Sequence, residues 1–129
     1  MEDIYKILVC EDDDVLGSMI QFKLKRDLNY EIIKVGNGRE AKNKLQATDF
    51  SLVISDIHMP YLSGLELLEY VRRDQKKDTP FIILSSEGLE ATVMDAFNLG
   101  ATDFLTKPFS PGELLMRVRR IFHVSVGKQ

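Results

Sequence analysis

The chain has one cysteine, Cys10, among its 129 residues. That excludes an internal disulfide and fits a reducing compartment. Cys10 lies in the apolar run Lys6–Cys10, so it reads as a buried, inert thiol. No apolar stretch approaches the ~18–20 residues needed to span a bilayer. The N-terminus, Met-Glu-Asp-Ile, lacks the basic and apolar regions of a secretory signal. The expected location is the cytoplasm. An excess of positive charge is also missing. Seventeen Lys and Arg stand against 20 Asp and Glu, a net charge of −3. This argues against direct binding of nucleic acid or a membrane surface. There is no internal repeat beyond a strand–helix period, no low-complexity segment and no interdomain linker. A glycine-rich phosphate loop after the first apolar run is absent too. That place holds Glu11–Asp14, which repels phosphate unless a metal intervenes.

What is present fits one domain of ordinary size and composition, with 44% hydrophobic and 29% charged residues. Five short segments read as strands: Lys6–Cys10, Tyr30–Val35, Leu52–Ser55, Phe81–Leu84 and Asp103–Thr106. Helical patterns separate them. The first runs to about Leu28, with Val15, Leu16, Met19, Ile20 and Leu24 as its apolar stripe. The second is capped by Asn37 with Glu40 and runs to about Ala47, presenting Ala41 and Leu45. The third starts at the capping box Ser63/Glu66 and presents Gly64, Leu67, Leu68 and Val71. The fourth spans about Leu89 to Leu99, presents Val93, Ala96 and Phe97, and stops at Gly100. Ser110, Pro111 and Glu113 start the fifth, which buries Leu114, Leu115, Val118, Ile121 and Phe122. The segment from Val124 to Gln129 carries no structural signal. The first, third and fourth strands are continuously apolar, as strands covered on both faces are. The alternation predicts an α/β fold with right-handed crossovers and a parallel, doubly wound sheet.

All strands of such a sheet end at one edge, where ligands bind. Glu11 and Asp12 follow the first strand, Asp56 the third, Ser85 the fourth and Lys107 the fifth. A carboxylate at the end of a buried strand costs on the order of several kcal/mol if left unpaired. Asp56 therefore needs solvent or a cation. Three carboxylates at one edge repel one another, and a hard divalent cation such as Mg2+ resolves this. Acids, a metal, a Lys and a hydroxyl together suit phosphoryl transfer with a carboxylate as nucleophile.

Five motifs carry a family resemblance: Leu8–Asp12, Asp56–Pro60 with Gly64, Leu84-Ser85, Gly100–Phe104, and Lys107–Phe109. In their order and spacing the chain resembles the receiver domain of bacterial two-component response regulators. The resemblance covers about Lys6 to Phe122 of a single domain, taken as 1–129. It implies a flavodoxin-like sheet of five strands in the order 2-1-3-4-5, with five helices. It implies that Asp56 is the phosphoacceptor for a sensor histidine kinase. Asp12 and Asp56 would bind Mg2+ directly, with the backbone carbonyl of His58, and Glu11 would act through a metal-bound water. Ser85 would be the switch hydroxyl, Lys107 the cation on the phosphoryl group, and Phe104 the aromatic that changes rotamer. The Lys107–Pro108 bond would be cis. Such a domain is not an enzyme in the usual sense, although it assists its own phosphorylation and dephosphorylation.

Plainer readings stand beside these. Asp13 and Asp14 fit a solvated helix N-terminus. Ser86 competes with Ser85, and register favours Ser85. Phe104 also fits plain core. The His58 imidazole reads as an exposed loop group. With Glu87 it occupies a place where the family tunes phosphoryl lifetime.

The output has two readings: a regulator that docks to a partner, or the receiver of a longer DNA-binding transcription factor. The segment from Lys107 to Leu115 resembles winged-helix regulators, which dimerise on phosphorylation through the face spanning about residues 91–122. Asp103 and Arg117 match one ion pair of that dimer. Val93 and Thr102 depart from the pattern and leave Glu113 without its expected partner. A metal-dependent phosphatase with an Asp nucleophile is a different class. Those enzymes carry D-x-D-x-T after the first strand, and Glu11–Val15 lacks that Thr.

Overall fold

The computed structural model describes residues 5–28 and 30–125. The strands are β1 (Lys6–Cys10), β2 (Glu31–Val35), β3 (Leu52–Asp56), β4 (Phe81–Ser85) and β5 (Asp103–Thr106). The helices are α1 (Asp14–Leu28), α2 (Gly38–Ala47), α3 (Gly64–Glu69), α4 (Glu90–Asn98) and α5 (Pro111–Ser125). The strands form one parallel sheet in the order β2-β1-β3-β4-β5, as the family resemblance implies. Among the described residues no helix is long and apolar enough to cross a membrane.

Side chains alternate across the sheet, as the two-residue period of a strand requires. Ile7, Val9, Ile54, Ile82 and Leu84 pack with Ile20 and Leu24 of α1 and with Leu114, Val118 and Phe122 of α5. Leu8, Cys10, Val53 and Ile83 turn the other way, onto Ala41 and Leu45 of α2, Leu67 and Leu68 of α3, and Ala96 of α4. Each fully buried Leu or Ile contributes about 1.5–3 kcal/mol relative to exposure. Two complete layers therefore hold the strand ends in register. Cys10 is buried as expected, and burial holds its thiol far above the usual range.

Three expectations need correction. The α1 stripe is narrower than the sequence suggests: Val15 is 71% exposed and Met19 46%. At ~100° per residue Val15 falls about half a turn from Leu24, on the opposite face. It borders an open groove with Met19, Pro108 and Phe109 instead. On α4, Phe97 is 45% exposed while its neighbour Ala96 is buried. Lastly, α5 continues to Ser125, into the segment that carried no signal; residues 126–129 lie outside the described residues.

Helix α3 begins at the expected capping box, with Ser63 and Glu66 bonding reciprocally. It ends in a wider π-helical turn, Tyr70–Asp74. That turn and its capping residue Gln75 send two side chains to other elements. Arg72 Nε and an Nη donate to Gly100 O at 3.1 and 2.9 Å, and its other Nη to Lys77 O at 3.0 Å. Gln75 Nε2 donates to Leu45 O at 3.0 Å, near the end of α2.

Candidate functional site

The C-terminal edge of the sheet gathers the residues that the sequence singled out. Glu11 leaves β1 and Asp56 closes β3; both are buried. Lys107 follows β5, and its backbone N–H donates to Ser85 O at 2.7 Å. The Lys107–Pro108 peptide bond is cis, as the family resemblance implies.

The Lys107 ammonium donates a hydrogen bond to Asp56 Oδ2 at 3.0 Å. It also stands 3.0 Å from Glu11 Oε1. The second contact is an ion pair. Glu11 Oε1 is buried without a hydrogen-bond partner among the described residues. The other oxygen, Oε2, accepts from the backbone N–H of Asp13 at 3.1 Å. Burial raises the Glu11 carboxyl above its ordinary range; Lys107 and the Asp13 N–H oppose this, and the Asp56 charge adds to it. Burial alone would lower the Lys107 ammonium, but the hydrogen bond and charge of Asp56, with Glu11, carry it upward.

Asp12 is exposed beside this buried pair. One oxygen each from Glu11, Asp12 and Asp56 lie within 4.8 Å of one another. Three hard oxygen donors so close, two of them on buried residues, suit a Mg2+ ion that completes its shell with carbonyl oxygen and water. The residues present fit the metal.

The loop after Asp56 is tied on both sides. Ile57 N–H donates to Leu84 O at 2.9 Å, and Gly64 N–H donates to Ile57 O at 2.8 Å. A β-carbon on Gly64 would fall 2.3 Å from Asp56 O, so only glycine allows this approach. Ser55 Oγ, fully buried, donates to the same Asp56 oxygen at 2.9 Å. Sequence reading passed over Ser55; a hydroxyl inside an apolar run was the available signal.

Ser85 Oγ is turned toward the following loop. It accepts from Glu87 N–H at 2.9 Å and donates to Glu87 O at 3.2 Å. Ser86 is exposed. Ile83 pairs with Phe104 in register, and Ser85 lies two residues beyond Ile83. Ser85 and Phe104 therefore share one sheet face. Phe104 is half-buried against the α2/α3/α4 layer. The His58 imidazole is exposed, with Nε2 3.7 Å from Glu87 Oε1. One Arg117 Nη donates to both carboxylate oxygens of Asp103 at 2.8 and 2.9 Å within the same chain, and the other Nη donates to Glu113 at 3.4 Å. Glu113 thus has a partner that the sequence did not suggest.

The fold is a doubly wound parallel sheet that gathers three acids and a half-buried lysine at its C-terminal edge. The response regulator receiver domain family matches residues 7–119, and the chain belongs to that family. It is a receiver domain, the phosphoacceptor switch of two-component signalling.

Relatives include the transcriptional regulatory protein CrdR of Helicobacter pylori, 37% identical over 118 residues, or 92% of this chain and 55% of CrdR. The alkaline phosphatase synthesis transcriptional regulatory protein PhoP of Bacillus subtilis is 34% identical over 93% of this chain and 49% of PhoP. The chain spans about half the length of these relatives. Among solved structures, the Francisella response regulator 1452 receiver domain superposes with a TM-score of 0.87 at 31% identity, covering 94% of this chain and 98% of that one. The chemotaxis response regulator CheY4 of Vibrio cholerae gives 0.84 at 34% identity, covering 92% and 99%. Receiver domains bind Mg2+ at an acidic pocket and work with a sensor histidine kinase; in this chain Glu11, Asp12 and Asp56 form an acidic cluster at the sheet edge.

Proposed function

We propose that Asp56 is the phosphoacceptor of this receiver. The observation that carries this is the Asp56 carboxylate itself, held by Lys107 at 3.0 Å within a cluster of three acids at the sheet edge. An Asp56 oxygen forms a bond to phosphorus. The P–N bond of the kinase's phosphohistidine breaks, and its electron pair returns to the imidazole. Asp12 and Asp56 would hold Mg2+ with the backbone carbonyl of His58, and Glu11 would act on it through a water. Bound there, Mg2+ supplies positive charge against the equatorial phosphoryl oxygens. Lys107 then shifts its ammonium onto the phosphoryl group, so the domain assists its own phosphorylation.

Ser85 Oγ now rests on Glu87. After phosphorylation it leaves that partner for a phosphoryl oxygen, and Phe104 on the same sheet face follows. The change is read at the face around 91–122, by an output domain, a partner protein or a second copy of the chain. The half-length match to transcriptional regulators supports an output in transcription, carried by a further DNA-binding domain. Action in the cytoplasm, with residues 1–129 as the one receiver domain, completes this reading.

The test is intact-mass measurement after incubation with a small phosphodonor and Mg2+. Wild type gains one phosphoryl group and Asp56→Asn gains none. Equal labelling of both would remove Asp56 from its role. Sizing with and without a phosphoryl mimic checks the dimer; an unchanged size removes it.

A further inference from the structure

The loop after Asp56 contains a strained residue that the phosphoacceptor reading does not use. Tyr61 has φ 74°, a left-handed backbone that residues with a β-carbon disfavour. Leu62 N–H donates to Pro60 O at 2.9 Å across it. This is a γ-turn of the rarer, positive-φ hand, which persists only where its surroundings hold it.

The surroundings are the N-terminus of α2. Gly38 N–H donates to the same Pro60 oxygen at 2.9 Å. A β-carbon on Gly38 would fall 2.2 Å from Leu62 O, so the helix end touches the turn directly. The Arg39 guanidinium lies 4.0 Å from the centre of the Tyr61 ring. Tyr61 is 65% exposed, so core packing does not hold its ring. Helix α2 is a fixed base for this grip. Asn37 caps it, Ala41 and Leu45 are buried, and Gln75 bonds Leu45 O near its far end. The loop is therefore pinned at Ile57 by Gly64 and at Pro60 by α2. His58 lies between the two pins.

We propose that Arg39 and Tyr61 are positioning residues for the metal pocket. Their stacked pair holds the strained turn against α2 and so fixes the backbone through His58, whose carbonyl the proposed site assigns to the ion. The proposal rests on the reading of Glu11, Asp12 and Asp56 as a Mg2+ site. It makes α2, otherwise remote from the chemistry, part of the metal-binding device.

The experiment is Mg2+ titration by calorimetry on the full chain, with amide exchange of Leu62 measured in parallel. The variants are Arg39→Gln, Tyr61→Ala, their double, and the conservative Arg39→Lys and Tyr61→Phe. Both side chains are exposed, so melting temperatures change little. Loss of the stack weakens Mg2+ binding about two- to five-fold and speeds Leu62 exchange. The double variant is no worse than either single one, and the conservative variants stay near wild type. Unchanged affinity and unchanged exchange in Arg39→Gln and Tyr61→Ala would overturn the proposal, as would additive losses in the double variant. A wild type that binds no Mg2+ would instead sink the pocket reading. Leu62 exchange would then still decide whether the clamp exists.

Discussion

Lys107 Nζ stands 3.0 Å from Asp56 Oδ2 although the two residues leave strands that do not pair. Strand β4 runs between them. The long lysine stem spans the end of that strand and brings the same ammonium to Glu11. One cation thus holds two buried acids that would otherwise repel. The third acid, Asp12, stays open to solvent.

Lys107→Met leaves Glu11 and Asp56 without their cation. Removing one partner of a buried ion pair is costly because a charge is stranded. The Glu11 side chain is fully buried and that of Lys107 is 20% exposed, so the loss is about 2 kcal/mol. Thermal melts in chelator show it, and added Mg2+ restores part. A melt equal to wild type would mean that the pair contributes nothing.

The Glu11 carboxyl is raised above its ordinary value of 4.5, chiefly by burial. The folded chain therefore holds this proton more tightly than the unfolded chain. Stability from Glu11 is fullest below the unfolded value and falls as pH rises through the folded one. Metal-free Glu11→Gln gains stability relative to wild type near pH 7, about 1 kcal/mol, and the gain vanishes near pH 4. Denaturant titrations at both pH values check this. A loss near pH 7 would show that attraction to Lys107 outweighs desolvation.

Mg2+ raises the melting temperature of the wild type. A ligand at a hundred times its Kd stabilises the folded state by about 2.7 kcal/mol. Asp12→Ala removes the exposed carboxylate and blunts this rise, yet it leaves the metal-free melt within about 0.5 kcal/mol of wild type. An undiminished response would place the ion elsewhere.

Arg72→Lys destabilises by about 2 kcal/mol. The guanidinium fork makes two bonds to Gly100 O and one to Lys77 O, and an ammonium cannot reproduce that geometry. Urea unfolding measures it. The α4–β5 junction should lose amide protection first.

The parts legible in the sequence are those set by local chemistry. Ser63 and Glu66 mark the start of α3 because a capping box is complete within four residues. Phe81–Leu84 reads as a buried strand because both of its faces are covered, leaving no polar alternation. Asp12, Asp56, Ser85 and Lys107 are legible because each stands at or just beyond a strand end, and a parallel sheet sends every such end to one edge. Val15 misleads because it neighbours Leu16 in sequence but faces away from the core.

Sequence alone therefore determined the strand–helix order, the family and the set of charges at the sheet edge, because each follows from short-range pattern. Tertiary structure alone decided that Lys107 bridges Glu11 and Asp56 at equal distance. It also decided that Ser55 locks the Asp56 carbonyl and that Arg39 stacks on a strained Tyr61. Those contacts join residues whose side-chain directions depend on how two layers of helices pack on the sheet, and no local pattern encodes that.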